Sequence, residues 1–202
     1  GVCSGFAIPV AQKFGEKDME GLRRYVGNIL WLSVIASVVM TGVTVLLCKK
    51  ILLWTNTPEE VFSQAYDYIV IIFWGIPVTI LYNTLSGIIR SLGDSRSPLF
   101  FLVFSSLLNV GLDLLCIIRF QMGVAGAAWA TVLSQLISGL LCLGYMLWRF
   151  DMLRLDRDAL KFRGDYVKRL CGMGIPMGLQ YSITAIGCLI LQAAVNSLGP
   201  VS

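Results

Sequence analysis

Apolar residues run along this 202-residue chain in blocks of about twenty, parted by short polar stretches. One partial block covers residues 1–12, and full blocks cover 27–48, 66–89, 98–118, 123–148 and 170–198. Each is apolar all the way round. A helix of about 20 such residues spans a hydrocarbon core of ~30 Å, whereas the ~10-residue strands of a membrane barrel alternate polar with apolar positions. The pattern therefore predicts an all-α membrane protein, a polytopic helical bundle. The last block exceeds the membrane thickness and requires tilt, a break or a polar first turn.

Helix-end chemistry sharpens several boundaries. In "TNTPEE", Thr57 reads as N-cap, Pro58 as first helical residue and Glu60 as the third-position acid of a capping box. In "DSRSPLFF", Ser97 reads as cap and Pro98 as first residue. Gly199 and Pro200 read as the stop of the last span.

Composition adds that 56% of residues are hydrophobic and 14% charged, more apolar surface than a soluble domain can hide. The net charge of +4 is spread between the blocks instead of forming a nucleic-acid patch. Thirteen of the sixteen Lys and Arg lie in the loops 13–26, 90–97 and 149–169, which the positive-inside rule makes cytoplasmic. The implied localisation is multi-pass in the cytoplasmic (inner) membrane. Six dispersed cysteines with no CxxC read as packing residues, and the absence of histidine removes His-based zinc sites and His-dependent nucleophilic catalysis. The loop 149–169 mixes both charge signs with periodic Leu, Phe and Tyr. It reads either as an amphipathic interfacial linker or as a solvated connector. The chain opens as though already within a helix and stops just after another, which reads as a fragment of a longer transporter-like protein.

Candidate chemistry centres on Asp113. A charged Asp deep in a span costs roughly 2.5–3.5 kcal/mol on insertion scales, so it should face a cavity or a partner. Asn109, one turn earlier, shares its helix face, and two hard oxygen donors there suit a small cation such as Na⁺, or a proton. The structural alternative is an Asp capping or snorkelling near the outer end of its span, about five residues, or 7–8 Å, away. Thr131 and Gln135, again four apart, could add oxygens from the next span. Asn83 lies in the segment 66–89, and Gln180 and Thr184 in the last. Spans holding an acid and neutral polar groups, with no central Lys or Arg, favour cationic over anionic cargo. A Gly-Asp pair at 93–94 echoes intramembrane aspartyl proteases, but Asp94 sits in a polar loop without a facing acid, so an enzyme is rejected.

Four pieces, "IPVAQKFGEKDMEGLRR", "GIIRSLGDSRSP", "NVGLDLLCI" followed by "GVAGAAWATVLSQ", and "GIPMGLQYSI" followed by "NSLG", occur in an order and spacing that resemble the multidrug and toxic compound extrusion (MATE) family of secondary transporters. The resemblance implies twelve helices in two six-helix lobes. This chain would run from the end of helix 2 through helix 7: N-lobe helices over 1–148, an inter-lobe linker over 149–169 and the first C-lobe helix over 170–202. The resemblance to the DinF-like prokaryotic branch implies a Na⁺ or H⁺ site at Asn109, Asp113 and Thr131, completed by a helix 1 Asp outside this chain. The C-lobe Glu of the NorM-type branch corresponds to Thr184 here, which argues for an N-lobe mechanism. The implied activity is cation-coupled antiport exporting amphipathic organic cations, with the coupling ion as cargo and no cofactor. The expected partners are the lipid bilayer, the substrate and the remaining half of the transporter, not nucleic acid. A lipid-linked oligosaccharide flippase of the same superfamily is the alternative, disfavoured because its anionic carriers call for internal bases.

Overall fold

The computed structural model describes residues 1–154 and 156–197. Among them every regular element is helical: α1 Val2–Gly15, α2 Met19–Trp54, α3 Glu59–Trp74, α4 Ile76–Ser91, α5 Arg96–Leu114, α6 Gly123–Arg149 and α7 Gly164–Ser197. A π turn, Leu115–Arg119, extends α5, and a 3₁₀ turn, Asp151–Leu153, follows α6. Counting α3–α4 as one bent span and α5 with its π turn, five helices are long and apolar enough to cross a membrane. This is a multi-pass helical membrane protein. In lipid each backbone polar group must find its partner within the segment, which is why such uniformly apolar blocks become helices.

The spans reach further into the basic loop regions than hydropathy implies. Most of 13–26 is helical, and only Glu16–Asp18 connects α1 to α2, with Lys17 in the left-handed region at φ 57°. Asp18 caps α2 by accepting a 3.0 Å hydrogen bond from Gly21 N. Helix α7 starts at Gly164, so a polar cytoplasmic first turn accounts for its length, and Pro176 does not interrupt it.

Two capping assignments are corrected. The helix after Thr57 has Pro58, not Thr57, at its N-cap, and no side chain caps it. At α5 the N-cap is Ser95, and Asp94 rather than Ser97 supplies the carboxylate, accepting from Ser97 N at 3.0 Å and Ser97 Oγ at 2.7 Å. A carboxylate has the reach and charge to satisfy two first-turn donors at once. The stop assigned to Gly199 and Pro200 lies outside the described residues.

The core gathers at the end of the bundle that carries the basic loops. Val10 of α1, Leu22, Val26 and Ile29 of α2, Leu85, Ile88 and Ile89 of α4, and Met146 of α6 are buried together. The outer half of α2 and nearly all of α5 and α7 instead expose large apolar side chains: Leu46 is 83% exposed, Ile118 69% and Leu189 70%. Such surface belongs against lipid or further protein.

Among its described residues the 150–163 connection holds no α-helix, and most of its side chains are exposed. It straps across the start of α2, burying Leu153 and Ala159. Trp31 Nε1 donates to Leu160 O at 2.7 Å, Arg163 N donates to Asn28 Oδ1 at 3.0 Å, and Arg23 Nε donates to Met152 O. All six cysteines are free thiols.

Candidate functional site

Helices α5 and α6 form an antiparallel pair joined by a tight outer turn in which Gln121 and Gly123 adopt left-handed conformations, φ 50° and 62°. Glycine removes the steric cost of that conformation at the second position. The turn sets the register that brings Asn109 opposite Thr131: Asn109 Nδ2 donates to Thr131 Oγ1 at 3.2 Å. The Thr131 hydroxyl in turn donates to Ala127 O at 3.0 Å, leaving the Asn109 amide oxygen uncommitted.

Asp113 stands one turn further along α5 on the same face. Its Oδ1 is fully shielded from solvent and makes no hydrogen bond among the described residues. A buried polar atom without a partner is costly, and rarer still for a carboxylate. The structure thus joins two of the three principal candidates directly and leaves the third shielded beside them. Among the described residues that Oδ1 makes no hydrogen bond to the turn that follows. Two residues beyond Asp113 the helix widens into the π turn, where Phe120 N donates to Leu115 O at 3.2 Å. Amide oxygen, carboxylate and hydroxyl are the hard donors that Na⁺ or a proton accepts. Three oxygens from this chain fall short of the six or so that a bare hard cation takes, so further ligands would have to come from outside it.

Gln135, a turn below Thr131, does not join that group. Its Oε1 accepts from Thr79 Oγ1 at 2.6 Å, tying α6 to α4. Thr79 stands at the bend between α3 and α4. There Gly75 N is shared between Ile71 O and Ile72 O, Pro77 has no N–H to give, and Thr79 N and Oγ1 both reach Gly75 O, at 3.1 and 3.3 Å. One turn on, Asn83 Nδ2 donates to Thr79 O at 2.8 Å. Polar groups therefore descend in steps from Asp113 through Thr131 and Gln135 to Thr79 and Asn83.

Asn83 opens onto a cavity of about 790 Å³ between α1, α2, α4 and α7, lined also by Ser33, Met40, Phe6 and Tyr181. Arg90 lines it too, so the base missing from the span centres does reach the cavity wall. Gln180 and Thr184 do not line it. Both are exposed on α7, where Thr184 Oγ1 donates to Gln180 O at 2.9 Å.

Four long apolar spans and one bent at Gly75, with a shielded acid between two of them, match a recognisable pattern. The profile of the MatE family fits residues 1–115, more than half of the sequence. The chain belongs to the MatE family. Among its MatE relatives, the probable multidrug resistance protein YpnP of Bacillus subtilis (strain 168) is 33% identical over 197 residues, covering 94% of this chain and 42% of that protein. A solved outward-facing conformation of a multidrug resistance MATE family transporter superposes with TM-score 0.88 at 25% identity, over 98% of this chain and 44% of that one. An inward-facing conformation of such a transporter gives 0.81 at 25% identity, over 87% and 40%. The chain thus spans less than half the length of these MatE proteins.

Sequence reasoning missed Thr79, Ser33 and Tyr181. Thr79 carried a usable signal, since it lies four residues from Asn83, the spacing that picked out the other polar pairs. Ser33 pairs with Thr84 at 3.0 Å between α2 and α4, a contact no single-helix periodicity reveals.

Proposed function

We propose that this chain supplies most of the N-lobe and the first C-lobe helix of a multidrug antiporter, with Na⁺ or H⁺ as coupling ion. Its cargo is amphipathic organic cations, exported across the cytoplasmic membrane. The observation that carries this reading is the shielded, unpartnered Oδ1 of the half-buried Asp113, one turn from the Asn109–Thr131 hydrogen bond. A buried carboxylate oxygen without a partner is costly, and a bound cation would supply one.

Coupling requires that ion occupancy favour one lobe arrangement over the other, because an ion bound equally by both shifts nothing. Each charge moving inward gains about 2.3 kcal/mol per 100 mV of membrane potential, which is the source of work for export. The stepped polar groups from Asp113 to Asn83 give ion occupancy a route to the α3–α4 bend and to the cavity wall. That cavity, aromatic and apolar with the Asn83 amide, a few hydroxyls and Arg90 at one end, offers an amphipathic cation the Phe6 and Tyr181 walls. The closer fit to an outward-facing MATE transporter than to an inward-facing one supports reading this arrangement as the outward-facing state.

The test is export of a fluorescent organic cation by the full-length protein in proteoliposomes under imposed Na⁺ or H⁺ gradients. Asp113→Asn is expected to abolish gradient-driven export with folding intact. Undiminished export by that variant would move the coupling site elsewhere.

A further inference from the structure

A second pocket, separate from the cavity and from Asp113, opens where the α4–α5 turn meets the end of α6. It measures about 470 Å³, and its walls include Arg96, Arg149, Ser95, Tyr145 and Phe150. The basic loops place it at the cytoplasmic face.

Its charge is unbalanced. Five of the thirteen bases in these loops meet acids: Lys13 pairs with Glu16 and Asp18, Arg23 with Asp156, Arg24 with Glu20, Arg154 with Asp151, and Lys161 with Asp158, whereas Lys17, Arg90, Arg157, Arg163, Lys168 and Arg169 are in no ion pair among the described residues. Among the described residues Arg96 and Arg149 pair with no carboxylate. The one acid in the pocket, Asp94, is already engaged: Oδ2 accepts from Tyr145 Oη at 2.6 Å and from Ser97 Oγ at 2.7 Å, and Oδ1 accepts from Ser97 N. Asp94 therefore fixes the pocket's shape, and its charge offsets one of the two arginines, leaving the pocket net positive. Edge-on contacts from Tyr145 to Phe101 and to Phe150, with ring centres 5.7 and 6.4 Å apart, stiffen the same wall.

Two unpaired guanidinium groups and a free Ser95 hydroxyl around one pocket are the donor set for a phosphate, which arginine grips through paired N–H donors. Trp148 and Phe100, each 75% exposed, lie close in sequence to the pocket residues Arg149 and Ser97, and tryptophan and phenylalanine so exposed suit a membrane interface. We propose that Arg96 and Arg149 hold a phosphate monoester or diester at the cytoplasmic face, where anionic lipid headgroups gather. This site is independent of the coupling reading, resting on the pocket's charge and on its side of the membrane.

The test uses the purified full-length protein in detergent. It is titrated with short-chain phosphatidylglycerol, with phosphatidylcholine and with inorganic phosphate, and binding is read by native mass spectrometry and by hydrogen exchange over 92–97 and 145–150. Phosphatidylglycerol is expected to bind and protect both segments. The double variant Arg96→Gln/Arg149→Gln is expected to bind it more than tenfold more weakly, since each arginine at an anionic surface contributes a factor of about five. Arg96→Lys/Arg149→Lys should restore part of the affinity, which a collapsed fold would not. Competition by inorganic phosphate would assign the site to soluble phosphate, and its failure to compete would assign it to lipid; either result supports the site. Equal binding of phosphatidylcholine, binding unchanged in the Gln variant, or no binding of either phosphate source would overturn it.

Discussion

Replacing Gly5 by Ala tests how α7 is held. Helices α1 and α7 cross through two small-residue pairs, Gly1 with Gly178 and Gly5 with Gly174, each pair of positions four apart in its own helix. A Cβ on Gly5 would sit 2.6 Å from Gly174 Cα and 2.7 Å from Met173 O. Carbon atoms settle at about 3.5–4.0 Å, so the helices must part by roughly 1 Å. The obstacle is backbone on both sides, which cannot rotate away. Overpacking of this kind costs about 1–3 kcal/mol. Alanine in a helix regains about 0.5–1 kcal/mol over glycine, leaving a net loss near 1 kcal/mol. Gly42→Ala in α2 is the matched control: nothing lies within 4 Å of its added Cβ, so only the gain of about 0.5–1 kcal/mol remains. Thermal unfolding of the two purified variants should move the midpoint in opposite directions, separated by roughly 2 kcal/mol. Equal stabilisation of both would refute the close crossing.

Three other outcomes follow from single contacts. Gln135→Leu should cost only about 1 kcal/mol, because Thr79 Oγ1 keeps Gly75 O as acceptor at 3.3 Å, and a double-mutant cycle with Thr79→Val should reveal the coupling between them. Burial pushes the Asp94 carboxyl upward, but hydrogen bonds from Tyr145, Ser97 and the backbone outweigh it and hold the group below its ordinary 3.8. Its contribution to stability is thus full above that value and lost as pH falls through the lower folded one, so Asp94→Asn should lower the melting midpoint at pH 7, with the gap closing in acid. Asn28, fully buried, accepts from Arg163 N and donates to Arg24 O at 2.8 Å; Asn28→Ala should speed amide exchange over 159–164 as the strap loses its anchor.

The span pattern was legible because lipid imposes one rule, apolar all round and helical, on every segment that crosses it. Side-chain caps were less so. Ser97 and Asp94 both fit the sequence signature, and only the turn at Gly93, φ 90°, decides which oxygen reaches the first helical amides. The bend at Gly75 was hidden inside one apolar block, although Pro77 marked its neighbourhood. Asn109 and Asp113, like Thr131 and Gln135, stood out because polar groups four apart share a helix face, and the resemblance selected Thr131 over Gln135. Which residues face them across the α5–α6 pair depends on the outer turn and the π widening, neither of which has a periodic signature. Thr79 took Gln135 as partner for that reason, and the strap's hold on α2 rests on backbone carbonyls that carry no residue-specific signal at all.

The most direct measurement is ion displacement from the purified full-length protein on addition of an organic cation, followed as proton release in weak buffer and as loss of bound radiolabelled Na⁺. With Asp113 intact, the organic cation should expel one of the two ions. Asp113→Asn should expel neither while remaining folded. Displacement by Asp113→Asn equal to that of the unaltered protein would contradict a coupling role for the shielded carboxylate.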